Sequence, residues 1–265
     1  MGVQSFPRVT RCRTARRLRR LFGWVAIGFL LGAPVSAGPT RSGATADELQ
    51  LTARDGHRLH LLRYRPPEDA TAGIVLIHDW GTSGTECWKD LAPALCERGY
   101  EVLIPDLRGH GESRMPDTTQ AAVSVPTRGD LALLAADASL WGDAFSDSIP
   151  RVLVAAVGWG GSIAARVVAG RRPLAGLIWL RPIGDASAVD WQPRDPARRA
   201  LLLVASQEDA PSARAAEALY ARFPAGTELR LFSRGAGGCA LLDAPGVREG
   251  LLDWARQAAS VGTAP

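Results

Sequence analysis

Histidine is scarce in this chain: there are four among 265 residues, and none lies beyond His110. Chemistry that needs an imidazole base must draw on His57, His60, His78 or His110. Cysteine is equally sparse, and Cys12, Cys87, Cys96 and Cys239 have no metal-site spacing. If Cys87 and Cys96 share one helix, their nine-residue separation holds them ~13 Å apart, beyond disulfide reach. Cys87, Cys96 and Cys239 are therefore expected to be buried or inert thiols. No low-complexity tract and no internal repeat are present, which sets aside disordered and solenoid classes. No cofactor and no metal are expected.

Acidic residues are missing from residues 1–37, where seven of the 31 basic residues stand. The remaining 24 basic residues face 27 acidic ones, so the formal charge of +4 belongs to the N-terminus and the body is mildly acidic. No nucleic-acid surface is expected. A basic stretch to Arg20, an apolar run from Leu21 to Ala33 and small residues at Val35-Ser36-Ala37 have the order of an export signal. The apolar run of about 13 residues falls short of the ~20 of a membrane span. Residues 1–37 are expected to be a signal peptide or, if uncut, an N-terminal anchor; Arg19-Arg20-Leu21-Phe22 loosely resembles a twin-arginine signal. The expected location is periplasmic or secreted, with membrane contact only through this segment. Residues 38–47 read as a flexible lead-in, and residues 48–265 as one domain.

The hydrophobic fraction of 46% supports a sizeable core. Glu48–Ala53 and Arg58–Tyr64 read as strands joined at Asp55-Gly56. Short apolar runs then alternate with helix-length segments. The runs are Gly73–His78, Glu101–Pro105, Val152–Ala156, Leu174–Leu180, Leu201–Ala205 and Glu228–Phe232. Helices are expected near Trp88–Arg98, Thr127–Trp141, Trp159–Ala169, Pro211–Arg222 and Val247–Ala259. This alternation predicts an α/β fold: a mostly parallel, doubly wound sheet with an N-terminal antiparallel hairpin. Arg181 to Ala200 leaves little room for a lid domain.

Gly73-Ile-Val-Leu-Ile-His-Asp-Trp-Gly81 is a buried strand running into a glycine loop, and Asp106-Leu-Arg-Gly-His-Gly-Glu-Ser113 ends a second strand. These strings resemble the alpha/beta hydrolase superfamily, and within it the monoglyceride-lipase and serine-aminopeptidase-like group. The resemblance implies acyl transfer by a serine on a sharp strand-to-helix turn, a histidine base, an orienting aspartate and two oxyanion N–H donors. It also implies structural or pocket-lining roles for His78 and His110.

Laid on the family pattern without gaps, Ala156-Val157-Gly158-Trp159-Gly160 is the turn and Gly158 the serine position. A frame shifted by two puts Gly160 there; one shifted by four supplies Ser162, but requires a strand through Gly158-Trp159-Gly160. Otherwise Ser162 is a first-turn helix residue. Asp209 matches the acid, and without a histidine partner its present role is to cap the helix before Pro211-Ser212. The histidine falls on Gly237, or one step along on Gly238. The oxyanion loop reads His78-Asp79-Trp80-Gly81. An inward Asp79 would oppose a developing oxyanion and an outward one would face solvent; both remain open. Trp80 and Trp159 either flank a pocket mouth suited to apolar or sugar-like ligands, or pack into the core; a small apolar or ester-like molecule is the expected partner.

The resulting expectation is an exported, catalytically degenerate protein that binds a ligand or partner. The alternatives are an active esterase, lipase or peptidase using Ser162 or an unrecognised arrangement, and an interaction protein whose pocket is filled by its own side chains. On the ungapped frames, Gly158→Ser with Gly237→His is expected to rebuild a triad with Asp209.

Overall fold

Asp55-Gly56 turns the chain because glycine accepts the left-handed backbone required there, φ +84 at Gly56. It joins β1 (Ala46–Thr52) to β2 (Arg58–Tyr64) as an antiparallel pair. The computed structural model describes residues 46–114, 126–164, 174–183, 201–235 and 237–260, with Arg128 by its backbone alone. Residues 1–45, which carry the expected leader, lie outside the described residues; Ala46 and Asp47, expected in the lead-in, already belong to β1.

Continuous apolar runs become strands buried on both faces. They are β3 (Ala72–Ile77), β4 (Tyr100–Pro105), β5 (Val152–Val157), β6 (Leu174–Leu180) and β7 (Leu201–Ser206), followed by the half-buried β8 (Thr227–Phe232). The sheet order is β1-β2-β4-β3-β5-β6-β7-β8. Pairings from β4 to β8 are parallel, and β2 joins β4 antiparallel. This is the expected architecture.

The helices are α1 (Gly84–Trp88), α2 (Ala92–Cys96), α3 (Arg128–Ala138), α4 (Trp159–Ala164), α5 (Ala210–Arg222) and α6 (Val247–Ser260). Leu131, Leu134, Ile163 and Leu219 bring α3, α4 and α5 onto one face of the sheet. Trp88, Leu95, Leu251 and Trp254 bring α1, α2 and α6 onto the other. The helix expected near Trp88–Arg98 is in fact split at Lys89–Leu91. Pro93 lacks an N–H and so is tolerated in the first turn of α2, which begins at Ala92. The segment Thr127–Trp141 likewise ends as α-helix at Ala138, and a separate 3-10 turn covers Trp141–Ala144. No described helix is long and apolar enough to cross a membrane.

The expectation of three inert thiols is corrected for two of them. Cys87, in α1, is disulfide-bonded to Cys239, in the 3-10 turn Gly238–Asp243 that follows β8. The partners are 152 residues apart, so comparison of neighbouring cysteines could not reveal the pair. Cys96 is free and buried. Closing so long a loop restricts the unfolded chain, and Cys87→Ser or Cys239→Ser should cost roughly 2–5 kcal/mol. Urea unfolding checks this; an unchanged midpoint would mean that the bridge adds nothing.

Candidate active site

Five parallel strands bring their carboxyl ends to one corner, where the chain leaves β3 and β5 toward opposite faces; open α/β sheets bind ligands at such a switch point. Asp79 follows β3, Gly158 follows β5, Arg181 follows β6, Asp209 follows β7 and Gly237 lies after β8.

β5 stops at Val157 and α4 starts at Trp159, so Gly158 alone forms the strand-to-helix turn. Its φ of +55 lies in the left-handed region that favours glycine. Its N–H donates to the Leu180 carbonyl at 2.9 Å, and its own carbonyl accepts from Trp179 Nε1 at 2.9 Å. No strand runs through Gly158-Trp159-Gly160, so the frame that made Ser162 a nucleophile is not the one the backbone adopts. Ser162 lies half-buried inside α4. A Cβ at Gly160 would press on the His78 carbonyl, and one at Gly161 on the Trp179 ring. These glycines let α4 seat directly on β3 and β6.

Asp79 points inward and is 7% exposed. Its Oδ1 accepts two backbone N–H bonds, from Trp80 at 2.8 Å and from Trp159 at 2.9 Å. The carboxylate lies where a side chain on residue 158 would start, since a Cβ there would overlap it. Burial pushes the Asp79 carboxyl above its ordinary range, and the two N–H donors and Arg181 oppose that rise.

Arg181 completes the corner. Its Nη1 lies 3.3 Å from Asp79 Oδ2, and its Nε donates to Asp209 Oδ2 at 2.7 Å. It is the one non-glycine residue of positive φ among those described, at +50. Its N–H donates to the Val204 carbonyl at 2.7 Å, which fixes the backbone in that state. Asp209 caps α5 through Oδ1, which accepts from Ser212 N at 3.4 Å. Asp209 is therefore both a cap and an ion-pair partner. Gly237 opens the 3-10 turn after β8. A Cβ there would stand 3.1 Å from Arg181 Nε and 3.3 Å from Asp209 Oδ2. Arg181 is not legible as a site residue in the sequence, because it follows an apolar strand and matches no motif.

The four histidines are committed elsewhere. His78 donates from Nδ1 to the Asp79 carbonyl at 2.6 Å and accepts at Nε2 from Leu107 N at 2.9 Å. Burial pulls its pKa down to about 4, which keeps the ring neutral. His110 donates from Nδ1 to the Arg108 carbonyl and accepts at Nε2 from Gly81 N. Burial lowers its pKa as well. His60 pairs with Asp106 at 3.1 Å, and His57 Nε2 lies 2.8 Å from the Ser113 carbonyl oxygen. Asp106 also accepts from Gly84 N and Glu112 N, and Ser113 Oγ donates to the Asp106 carbonyl, so this loop organises backbone. Trp80 and Trp159 are partly buried against the core, and the Trp80 ring meets His110 edge-on with centroids 4.6 Å apart.

Fold and corner together define an α/β-hydrolase scaffold. The sequence pattern of the Alpha/beta hydrolase family matches residues 74–263, and the chain belongs to that family. A soluble epoxide hydrolase from Corynebacterium sp. (strain C12) is 40% identical over 68 residues, which are 24% of this chain and 20% of that protein. The chain thus matches about a fifth of that curated relative's length. Dienelactone hydrolase from Anabaena variabilis superposes with a TM-score of 0.61 at 19% identity, over 80% of this chain and 95% of that one. The Pyrococcus furiosus esterase Pf2001 superposes at 0.58 with 13% identity, over 83% and 95%. An α/β serine hydrolase without a lid from Xanthomonas campestris superposes at 0.58 with 20% identity, over 79% and 94%. At these identities the three structures speak for the fold alone.

Proposed function

We propose that this chain is an exported, catalytically degenerate α/β-hydrolase-fold protein that acts by binding a ligand or partner. The observation that carries this reading is the Asp79–Arg181–Asp209 bridge across the corner where the fold keeps its reacting groups. In such hydrolases the nucleophile sits on the strand-to-helix turn, and the next residue's N–H joins one from the loop after β3 to form the oxyanion hole. On that frame Gly158 is the nucleophile position and offers no attacking atom. Trp159 N and Trp80 N are the oxyanion donors, and both are taken by a carboxylate. Gly237 is the histidine position, and the Arg181 guanidinium beside it presents N–H donors and no acceptor.

Export is supported by the signal-like order of residues 1–37 and by the Cys87–Cys239 bridge, since structural disulfides persist in oxidising compartments. Purified protein is expected to turn over nitrophenyl acetate and butyrate no faster than a heat-treated control. Turnover clearly above that control, retained through a second purification, would overturn the reading.

A further inference from the structure

Asp79 reaches the corner from the loop after β3 and fills it with its own carboxylate. Two backbone N–H donors from separate loops converge on Oδ1, Trp80 at 2.8 Å and Trp159 at 2.9 Å. The Arg181 guanidinium faces Oδ2 at 3.3 Å. Donors of this kind at both oxygens form a receptor for one planar carboxylate, and charge strengthens such bonds. The space exists because residue 158 carries no side chain; any Cβ there would overlap the bound carboxylate. Arg181 is held at φ +50 between Asp79 and Asp209, a conformation that persists only where the surroundings impose it. Burial raises the Asp79 carboxyl above its ordinary range, and the Trp159 and Trp80 N–H donors and Arg181 oppose that rise.

We propose, resting on the non-catalytic reading above, that this corner is a carboxylate-binding site closed in cis by Asp79. Its ligands are small monocarboxylates of formate and acetate size, which enter when Asp79 is withdrawn. A tethered group competes at an effective concentration in the millimolar range or above. The native protein therefore shows only a fraction of the site's intrinsic affinity, set by how often Asp79 is out.

The test is a titration with sodium acetate against sodium chloride at equal ionic strength. The samples are the native chain, Asp79→Gly and Asp79→Gly with Arg181→Met, and the readout is the thermal midpoint. Acetate well above its dissociation constant should raise the midpoint of Asp79→Gly by roughly 3 °C or more beyond chloride. The native chain should need about tenfold more acetate for the same response, and the double variant should show none. If Asp79→Gly does not fold, the backbone amide resonances of Trp80 and Trp159 in the native chain carry the measurement. They should shift saturably with acetate and not with chloride. An Asp79→Gly response equal to that of chloride, an equal response in the double variant, or unmoved amide resonances in the native chain would each overturn the proposal. None of these results touches the non-catalytic reading, which falls on ester turnover by the native protein or on a fluorophosphonate adduct at an activated serine.

Discussion

Gly158→Ser is expected to unfold at a clearly lower urea concentration than the parent and to gain no esterase activity. Two costs combine. A non-glycine residue at φ +55 carries backbone strain of order 1–3 kcal/mol. The new Cβ also overlaps the Asp79 carboxylate, which is held by two N–H bonds and cannot yield without losing them. Overpacking of this sort costs about 1–3 kcal/mol, so the total should reach roughly 3 kcal/mol. Gly158→Ala should lose a similar amount, because the clash begins at Cβ. The Asp79 carboxylate also stands in the way of a triad built by Gly158→Ser with Gly237→His. Asp79 fills the place of a side chain at residue 158, and a Cβ at the exposed Gly237 would stand 3.1 Å from Arg181 Nε. Ester turnover should be absent from that double variant. It is expected, weakly, only when Asp79→Gly and Arg181→Met are added to clear both sites. Activity in the double variant alone would contradict the described corner.

Arg181→Met should destabilise the protein by about 2–4 kcal/mol at neutral pH. Removing the cation leaves two carboxylates facing one another with little solvent around them. Breaking a buried pair costs about 3–5 kcal/mol, and the lower figure reflects an Arg181 side chain that is 29% exposed. The loss should depend on pH in a definite direction. The Asp79 carboxyl already stands above its ordinary value in the folded chain, and loss of Arg181 pushes it higher. A carboxyl raised on folding favours the fold below its unfolded value of ~3.9 and loses that contribution as pH rises through its folded value. The deficit of Arg181→Met should therefore be full at pH 7 and shrink toward pH 4 as the orphaned carboxylate takes a proton. Denaturant midpoints across that range check this. A deficit constant with pH would mean that Arg181 acts through packing rather than charge.

The strands were legible because parallel strands covered on both faces appear as unbroken apolar runs: β6 was placed to the residue and β5 to within one. Gly158 was legible because an ungapped frame puts it at the only turn between β5 and α4. Three features were not. The orientation of Asp79 depends on N–H groups from two loops, and no single stretch of sequence contains both. Arg181 looks like any charged residue closing an apolar strand; its significance comes from β3 and β7 standing on either side of β6 at that end. The disulfide joins α1 to the turn after β8, a proximity created only by folding. Each of these is a contact between distant segments, whereas the local patterns that sequence displays concern period, turns and caps.

On the proposed reading this corner holds no activated nucleophile. Incubating the native folded protein with a fluorophosphonate and measuring its intact mass tests that directly. The expected result is an unmodified mass, no different from a denatured control. A single stoichiometric adduct on a serine of the folded protein, Ser162 or any other, absent from the denatured control, would contradict it.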